Sequence, residues 1–120
     1  MVYTKLKPIL PSLREKKRYL VFEVISKERI NDIDAVSNAI SQASLQFLGQ
    51  YGAAKAGIVM LSNKWDAKKQ IGIIKVSHKH VDDVKASFVF AKKVGNKAVI
   101  IRSLGVSGIL QKAENYFLQK

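Results

Sequence analysis

Residues 57–76 read GIVMLSNKWDAKKQIGIIKV, and they decide the fold. Gly57-Ile58-Val59-Met60-Leu61 has the aliphatic, β-branched composition of a strand, as does Ile71-Gly72-Ile73-Ile74-Lys75-Val76. Only the polar loop around residues 63–69 separates them, and two strands joined by a short loop form a hairpin. Upstream, Tyr19-Leu20-Val21-Phe22-Glu23-Val24-Ile25 is a further strand, apolar on both faces except at Glu23, which predicts a central place in its sheet. Asn31 or Asp32 then offers an N-cap, and Ile33, Val36, Ile40, Ala43 and Phe47 recur at helical spacing until Gly49 and Gly52 stop them. Downstream, Ser77–His80 lead into a second helix with the stripe Val81, Val84, Phe88 and Ala91. Asp82 and Asp83 in its first turn and Lys92 and Lys93 in its last match the helix dipole, and Gly95-Asn96 caps it. Ala98-Val99-Ile100-Ile101-Arg102 is the last strand. Gly105-Val106-Ser107-Gly108 turns from it into a final helix with Ile109, Ala113, Tyr116 and Phe117 near one face.

The predicted order is β-α-β-β-α-β-α. Split βαβ units around one hairpin give an α+β, ferredoxin-like sandwich, the frame also used by the RNA recognition motif. It consists of a four-stranded antiparallel sheet, two backing helices and, here, an added C-terminal helix. The division expected along the chain is a basic arm over residues 1–18 and a single domain over 19–120. Such a frame serves many functions, so function has to be read from particular residues.

The chain has 120 residues, and a fold of its 13.4 kDa mass exposes roughly 6,500 Å² of the roughly 19,000 Å² of the extended chain, enough burial for one core. Hydrophobic residues at 48 % and charged residues at 25 % exclude a chain disordered throughout. The absence of cysteine excludes a disulfide scaffold, a thiolate zinc site and a cysteine nucleophile. The longest uncharged stretch, residues 35–54, is too rich in Ser, Gln and Asn to span a bilayer, and Lys5, Pro8 and Pro11 interrupt any signal-peptide pattern. These features lead us to expect a soluble, cytoplasmic protein.

Charge narrows the function. There are 21 Lys and Arg against 9 Asp and Glu, a net of +12, and the usual partner of such a surface is a polyanion, nucleic acid first. The arm carries Lys5, Lys7, Arg14, Lys16, Lys17 and Arg18 against Glu15 alone. Residues 30–54 hold no Lys or Arg, only Asp32 and Asp34. The outward positions of the first helix, Ser41, Gln42, Leu45 and Leu48 among them, suit a protein interface better than a solvated face. Further cations at Lys64, Lys68, Lys69, Lys92, Lys93 and Lys97 complete the expectation of one RNA-facing side and one protein-facing side.

Several chemistries fail on their own requirements. Base stacking on a sheet needs aromatics on the central strands, but residues 70–77 have none, and Tyr19 and Phe22 point to opposite faces. An aliphatic open face is better suited to bury the terminal helix or a protein partner. His78-Lys79-His80-Val81-Asp82-Asp83 is similar to a metallo-β-lactamase ligand box, but the final His is missing and these are the only two histidines. The carboxylates are scattered, and the adjacent Asp82 and Asp83 do not face each other on a helix. Gly105–Gly108, with Arg102 just before, offers amides at a helix start that could hold phosphate, but lacks the Gly-Lys-Ser/Thr of a P-loop. No basic amphipathic helix supports membrane binding.

Two motifs carry a family resemblance. Arg102-Ser103-Leu104-Gly105-Val106-Ser107-Gly108 resembles the Arg-Thr/Ser-Leu-Gly-Val-Ser-Gly signature of archaeal ribonuclease P protein component 2. Leu10-Pro11-Ser12-Leu13-Arg14-Glu15-Lys16-Lys17-Arg18-Tyr19 resembles the same family's Leu-Pro-x-Leu-Arg-Asp/Glu-Lys-x-Arg-Tyr. The family is related to a small subunit of eukaryotic ribonuclease P and MRP. The resemblance implies a non-catalytic subunit of a ribonucleoprotein that removes the 5′ leader of precursor tRNA. It further implies hydrolysis by the RNA subunit with its own Mg²⁺, no cofactor on this chain, and pairing with protein component 3, often as a dimer of heterodimers. Under this reading Lys5, Lys7, Arg14, Lys16, Lys17 and Arg18 contact phosphate, with Arg102, Gly105, Ser107 and Gly108 as weaker candidates. Component 3 would meet Ser41, Gln42, Leu45 and Leu48. The alternative is another RNA-binding module of the same fold, such as a ribosome-associated protein.

Overall fold

The computed structural model describes residues 16–115. Its centre is β1 (Lys17–Ser26), paired antiparallel on one side with β3 (Ile71–Ser77) and on the other with β5 (Lys97–Ser107). Adding β2 (Val59–Met60) and β4 (Lys93–Val94) gives one antiparallel sheet in the order β2-β3-β1-β5-β4. Side chains alternate across β1, so Leu20, Phe22 and Val24 face one way and Tyr19, Val21, Glu23 and Ile25 the other. The first set packs under α1 (Ile33–Ala56) and α2 (Val81–Ser87), with Val36, Ile40, Val84 and Phe88. On the opposite face Val21, Ile71 and Ile73 are covered by Ala113 of α3 (Leu110–Ala113), with Leu104 and Leu110 beside it. Burial on both faces at Leu20, Val21 and Phe22 explains the apolar character of β1 and its central place. The terminal helix covers part of the open sheet face, over Val21, Ile71 and Ile73, while Ile25 and its partner Ile100 remain exposed. Of that helix's expected stripe, Ile109 is exposed, and Tyr116 and Phe117 lie outside the described residues.

The structure differs from the sequence prediction in its strand count and in several element boundaries. The sheet has five strands, not four. The expected long second helix stops at Ser87, passes through a 3₁₀ turn at Phe88–Phe90, and becomes β4, which hairpins into β5 with Lys93 opposite Ala98 and Val94 opposite Lys97. Gly95, at φ +63°, turns that hairpin and does not cap a helix. Both roles need the same left-handed backbone, so the glycine alone does not distinguish them. Gly49, at φ +77°, breaks the helical path of α1, but the helix resumes to Ala56, and Gly57 is its left-handed cap. β2 therefore keeps only two of the five residues expected of it. At its start α1 follows prediction: the Asp32 carboxylate accepts from the Asp34 and Ala35 amides at 3.0 and 3.3 Å.

β5 runs on to Ser107. Gly105, Val106 and Ser107 sit opposite Val21, Leu20 and Tyr19, and a bulge falls at Leu104, between the partners of Val21 and Phe22. The predicted turn into the final helix at residues 105–108 is thus mostly strand. β1 also begins at Lys17, two residues inside the expected arm.

Candidate nucleic-acid interface

The start of β1 and the end of β5 lie side by side, so the two motifs that are far apart in sequence meet at one end of the sheet. Tyr19 is paired with Ser107 on one side and with Lys75 on the other. Lys16 is anchored by its carbonyl, which accepts the His78 amide at 2.9 Å, and the His78 ring Nδ1 lies 3.1 Å from the same oxygen. The Arg18 guanidinium donates to the Lys17 carbonyl at 3.1 Å, and its side chain lies over Gly108, where an added Cβ would stand 3.6 Å from Nη1. The Lys17 ammonium reaches Gly57, at the C-terminal end of α1, where the helix dipole favours a cation. Lys16, Lys17 and Lys79 are exposed and Arg18 and Lys75 half-buried. Asp82 and Asp83, which follow Lys79, open α2, and Glu15, next to Lys16, lies outside the described residues. This corner can offer several cations to consecutive phosphates, with the half-buried Tyr19 the aromatic among them.

The other candidates fall elsewhere. Arg102 Nε donates to Glu23 Oε1 at 2.8 Å across the open sheet face, which gives it a structural partner. The Ser107 hydroxyl donates to the Ile109 carbonyl and accepts the Ile109 amide, both at 3.0 Å, and so closes the turn after β5. Gly105 and Ser107 lie in the ladder, and α3 begins only at Leu110, so these two residues are strand and not a turn at the helix start. Lys5, Lys7 and Arg14 lie outside the described residues. On α1, Ser41, Gln42 and Leu45 are exposed, whereas Leu48 packs against the main core. Ser44, on the same stretch of helix, is buried and its hydroxyl donates to the Ser41 carbonyl. The cations do not share one side: Lys64 pairs with Glu114 at 3.0 Å, and Lys68, Lys69 and Lys97 lie at the far end of β1 from Lys16. Among the described residues no three His, Asp or Glu converge as metal ligands.

Comparison with known proteins identifies the family. The model of the Rpp14/Pop5 family matches residues 18–118. The chain belongs to this family. Curated Rpp14/Pop5 relatives named "Ribonuclease P protein component 2" include that of Thermococcus kodakarensis, 38 % identical over 95 % of this chain and 92 % of its own. That of Methanosarcina acetivorans is 40 % identical, covering 95 % of this chain and 83 % of its own. That of Methanocaldococcus jannaschii is 37 % identical over 94 % and 81 %. A chain from the cryo-EM structure of yeast ribonuclease MRP shares the fold, with a TM-score of 0.57 at 13 % identity, covering 79 % of this chain and 76 % of that one. The family suggested by the two motifs is therefore the family to which the chain belongs.

This Rpp14/Pop5 chain also carries an aromatic patch that the helix stripe conceals. Phe47 continues the spacing of Val36, Ile40 and Ala43, which predicts burial, yet it is 45 % exposed. Its ring lies 5.6 Å from that of Phe90, itself 37 % exposed, and Tyr51 and Val89 are open to solvent. Phe90 belongs to the 3₁₀ turn that replaces the end of the predicted helix, so only the true course of residues 88–94 brings these rings together.

Proposed function

We propose that this chain is the ribonuclease P subunit that braces the catalytic region of the RNA while the RNA, with its own Mg²⁺, cleaves the 5′ leader from precursor tRNA. The observation that carries this is the meeting of the two family motifs at one cationic corner, with the Arg18 side chain lying over Gly108. In this reading Lys16, Lys17 and Arg18, continued by Lys5, Lys7 and Arg14, neutralise phosphates, and the chain holds the RNA's shape without reading bases. Gly105, Ser107 and Gly108 set the surface against which Arg18 lies. The chain itself is non-catalytic and works in the cytoplasm. Protein component 3 docks on the neutral face of α1, over Ser41, Gln42 and Leu45 and the exposed Phe47–Phe90 pair, as a heterodimer that can double. Aromatic residues of this kind are typical interface anchors. The strand order β2-β3-β1-β5, with α1 and α2 on one face, favours a ferredoxin-like classification to which β4 is an addition.

The test is cleavage of a precursor tRNA at low Mg²⁺ by the cognate RNA and component 3, with and without this chain. Faster cleavage only in its presence supports the role; unchanged cleavage with RNA binding retained refutes it. Cleavage by the chain alone would refute its non-catalytic place.

A further inference from the structure

Resting on the RNA-binding function proposed above, we propose a second phosphate-binding surface at the opposite end of β1, formed by Lys27, Arg29, Lys68 and Lys69 and directed at the backbone of a structured RNA. Nine residue steps separate Lys17 from Ser26, roughly 30 Å of strand, so this surface is distinct from the corner around Lys16–Arg18.

Three loops are locked together there. The Arg29 guanidinium donates to the Ala67 carbonyl at 2.9 Å, joining the segment after β1 to the loop before β3. The Lys97 ammonium donates to the Arg29 carbonyl at 3.1 Å, joining both to the β4–β5 hairpin. Gln70, buried at φ 55°, fastens the same loops to Val24 and Ser26. The Asp66 carboxylate accepts the amides of Lys68 and Lys69 at 3.0 and 3.2 Å and so fixes the backbone of this loop. Between the loops runs a groove lined by Lys27, Arg29, Lys68 and Lys69, and its one carboxylate, Glu23, is held by Arg102. The side chains of Lys27 and Lys68 are exposed and make no hydrogen bond or ion pair among the described residues. Arg29 uses only one of its five donors on Ala67, and its fork geometry suits phosphate. The cations Lys27, Arg29, Lys68, Lys69 and Lys97 outnumber the carboxylates Glu23, Glu28 and Asp66 at this end of the sheet, which leaves it net positive, and because the loops are already locked together little backbone freedom is lost when a polyanion backbone binds. With the arm corner engaged as well, one chain would span two phosphate tracks and brace RNA segments against each other.

The experiment is the salt dependence of affinity of the full chain for ribonuclease P RNA and, separately, for precursor tRNA. Each duplex phosphate that the protein ceases to neutralise reduces the steepness of log K against log salt by about 0.9. Lys27→Ala with Lys68→Ala should reduce it by about 1.8 on one of the two RNAs, and the RNA that responds is the occupant. Lys27→Arg with Lys68→Arg should keep the wild-type slope, and thermal melting shows whether each variant remains folded. An unchanged slope on both RNAs for the alanine pair, while Lys16→Ala, Lys17→Ala and Arg18→Ala together reduce it, overturns this surface and leaves the proposed function standing. If neither variant changes the slope, both are overturned.

Discussion

Replacing Gln70 tests how the Ser26 end of this sheet is held. It occupies the left-handed region at φ 55°, immediately before β3, and is buried. Its side-chain amide donates to the Val24 carbonyl at 2.7 Å and to the Ser26 hydroxyl at 3.1 Å. Its side-chain oxygen accepts the Ile30 amide, and its backbone carbonyl accepts the Val24 amide at 2.8 Å. The side chain thus extends the β1–β3 ladder by one step and supports the entry into α1. Gln70→Ala leaves the Val24 carbonyl and the Ile30 amide buried and unpaired, at about 1–3 kcal/mol each. Ser26 is half-buried and admits water, which favours the lower half of that range, about 2–4 kcal/mol in total. At about 4 °C per kcal/mol for a chain of this size, the melting temperature should fall by about 8–16 °C. Gln70→Gly loses the same bonds but removes a left-handed penalty of roughly 1–2 kcal/mol, against about 0.5–1 kcal/mol of added backbone entropy. It should melt about 2–4 °C above the alanine variant by that balance. Circular dichroism melts of the three proteins decide the matter. An alanine variant within about 2 °C of wild type, or one that melts above the glycine variant, would refute the reasoning.

Three further outcomes follow from local geometry. A Cβ at Gly72 would stand 2.7 Å from Phe22 Cζ and 3.0 Å from Trp65 Cε3, inside a ring stack with centroids 6.2 Å apart, so Gly72→Ala should destabilise by about 1–3 kcal/mol in a denaturant titration. Asp32→Ala removes the cap of α1 and should cost about 1 kcal/mol, whereas Asp32→Asn should recover most of it in the same titration. Phe47→Ala with Phe90→Ala should lower the affinity for component 3 at least tenfold by calorimetry, about 1.4 kcal/mol, with the folded signal retained; unchanged affinity would remove the aromatic patch from that interface.

Much of this architecture is legible in order along the chain, because it rests on local rules. Hydrophobic periodicity distinguishes strand from helix, and the run from Tyr19 to Ile25, apolar on both faces except at Glu23, marks a central strand, so β1, β3 and the start of α1 can be read directly. The +12 charge and the two short motifs point to a polyanion partner and to the family without any tertiary information. What the sequence leaves open is decided by partners distant in the chain. Gly95 and Gly57 each demand a left-handed backbone, and only the pairing of Val94 with Lys97 makes one a hairpin, while the Ala53 carbonyl makes the other a helix cap. Gly105–Ser107 are composed like a turn, but lying against Leu20 and Val21 they complete the sheet, because unpaired backbone beside a buried strand would be costly. Phe47 follows the helical spacing of a core residue and is left half in the open because the second helix ends at Ser87, and the ring that lies against it, Phe90 of the 3₁₀ turn that follows, is itself partly exposed. The basic side chains are evident along the chain itself, but their division between two ends of a strand about 30 Å long is set by strand pairing alone.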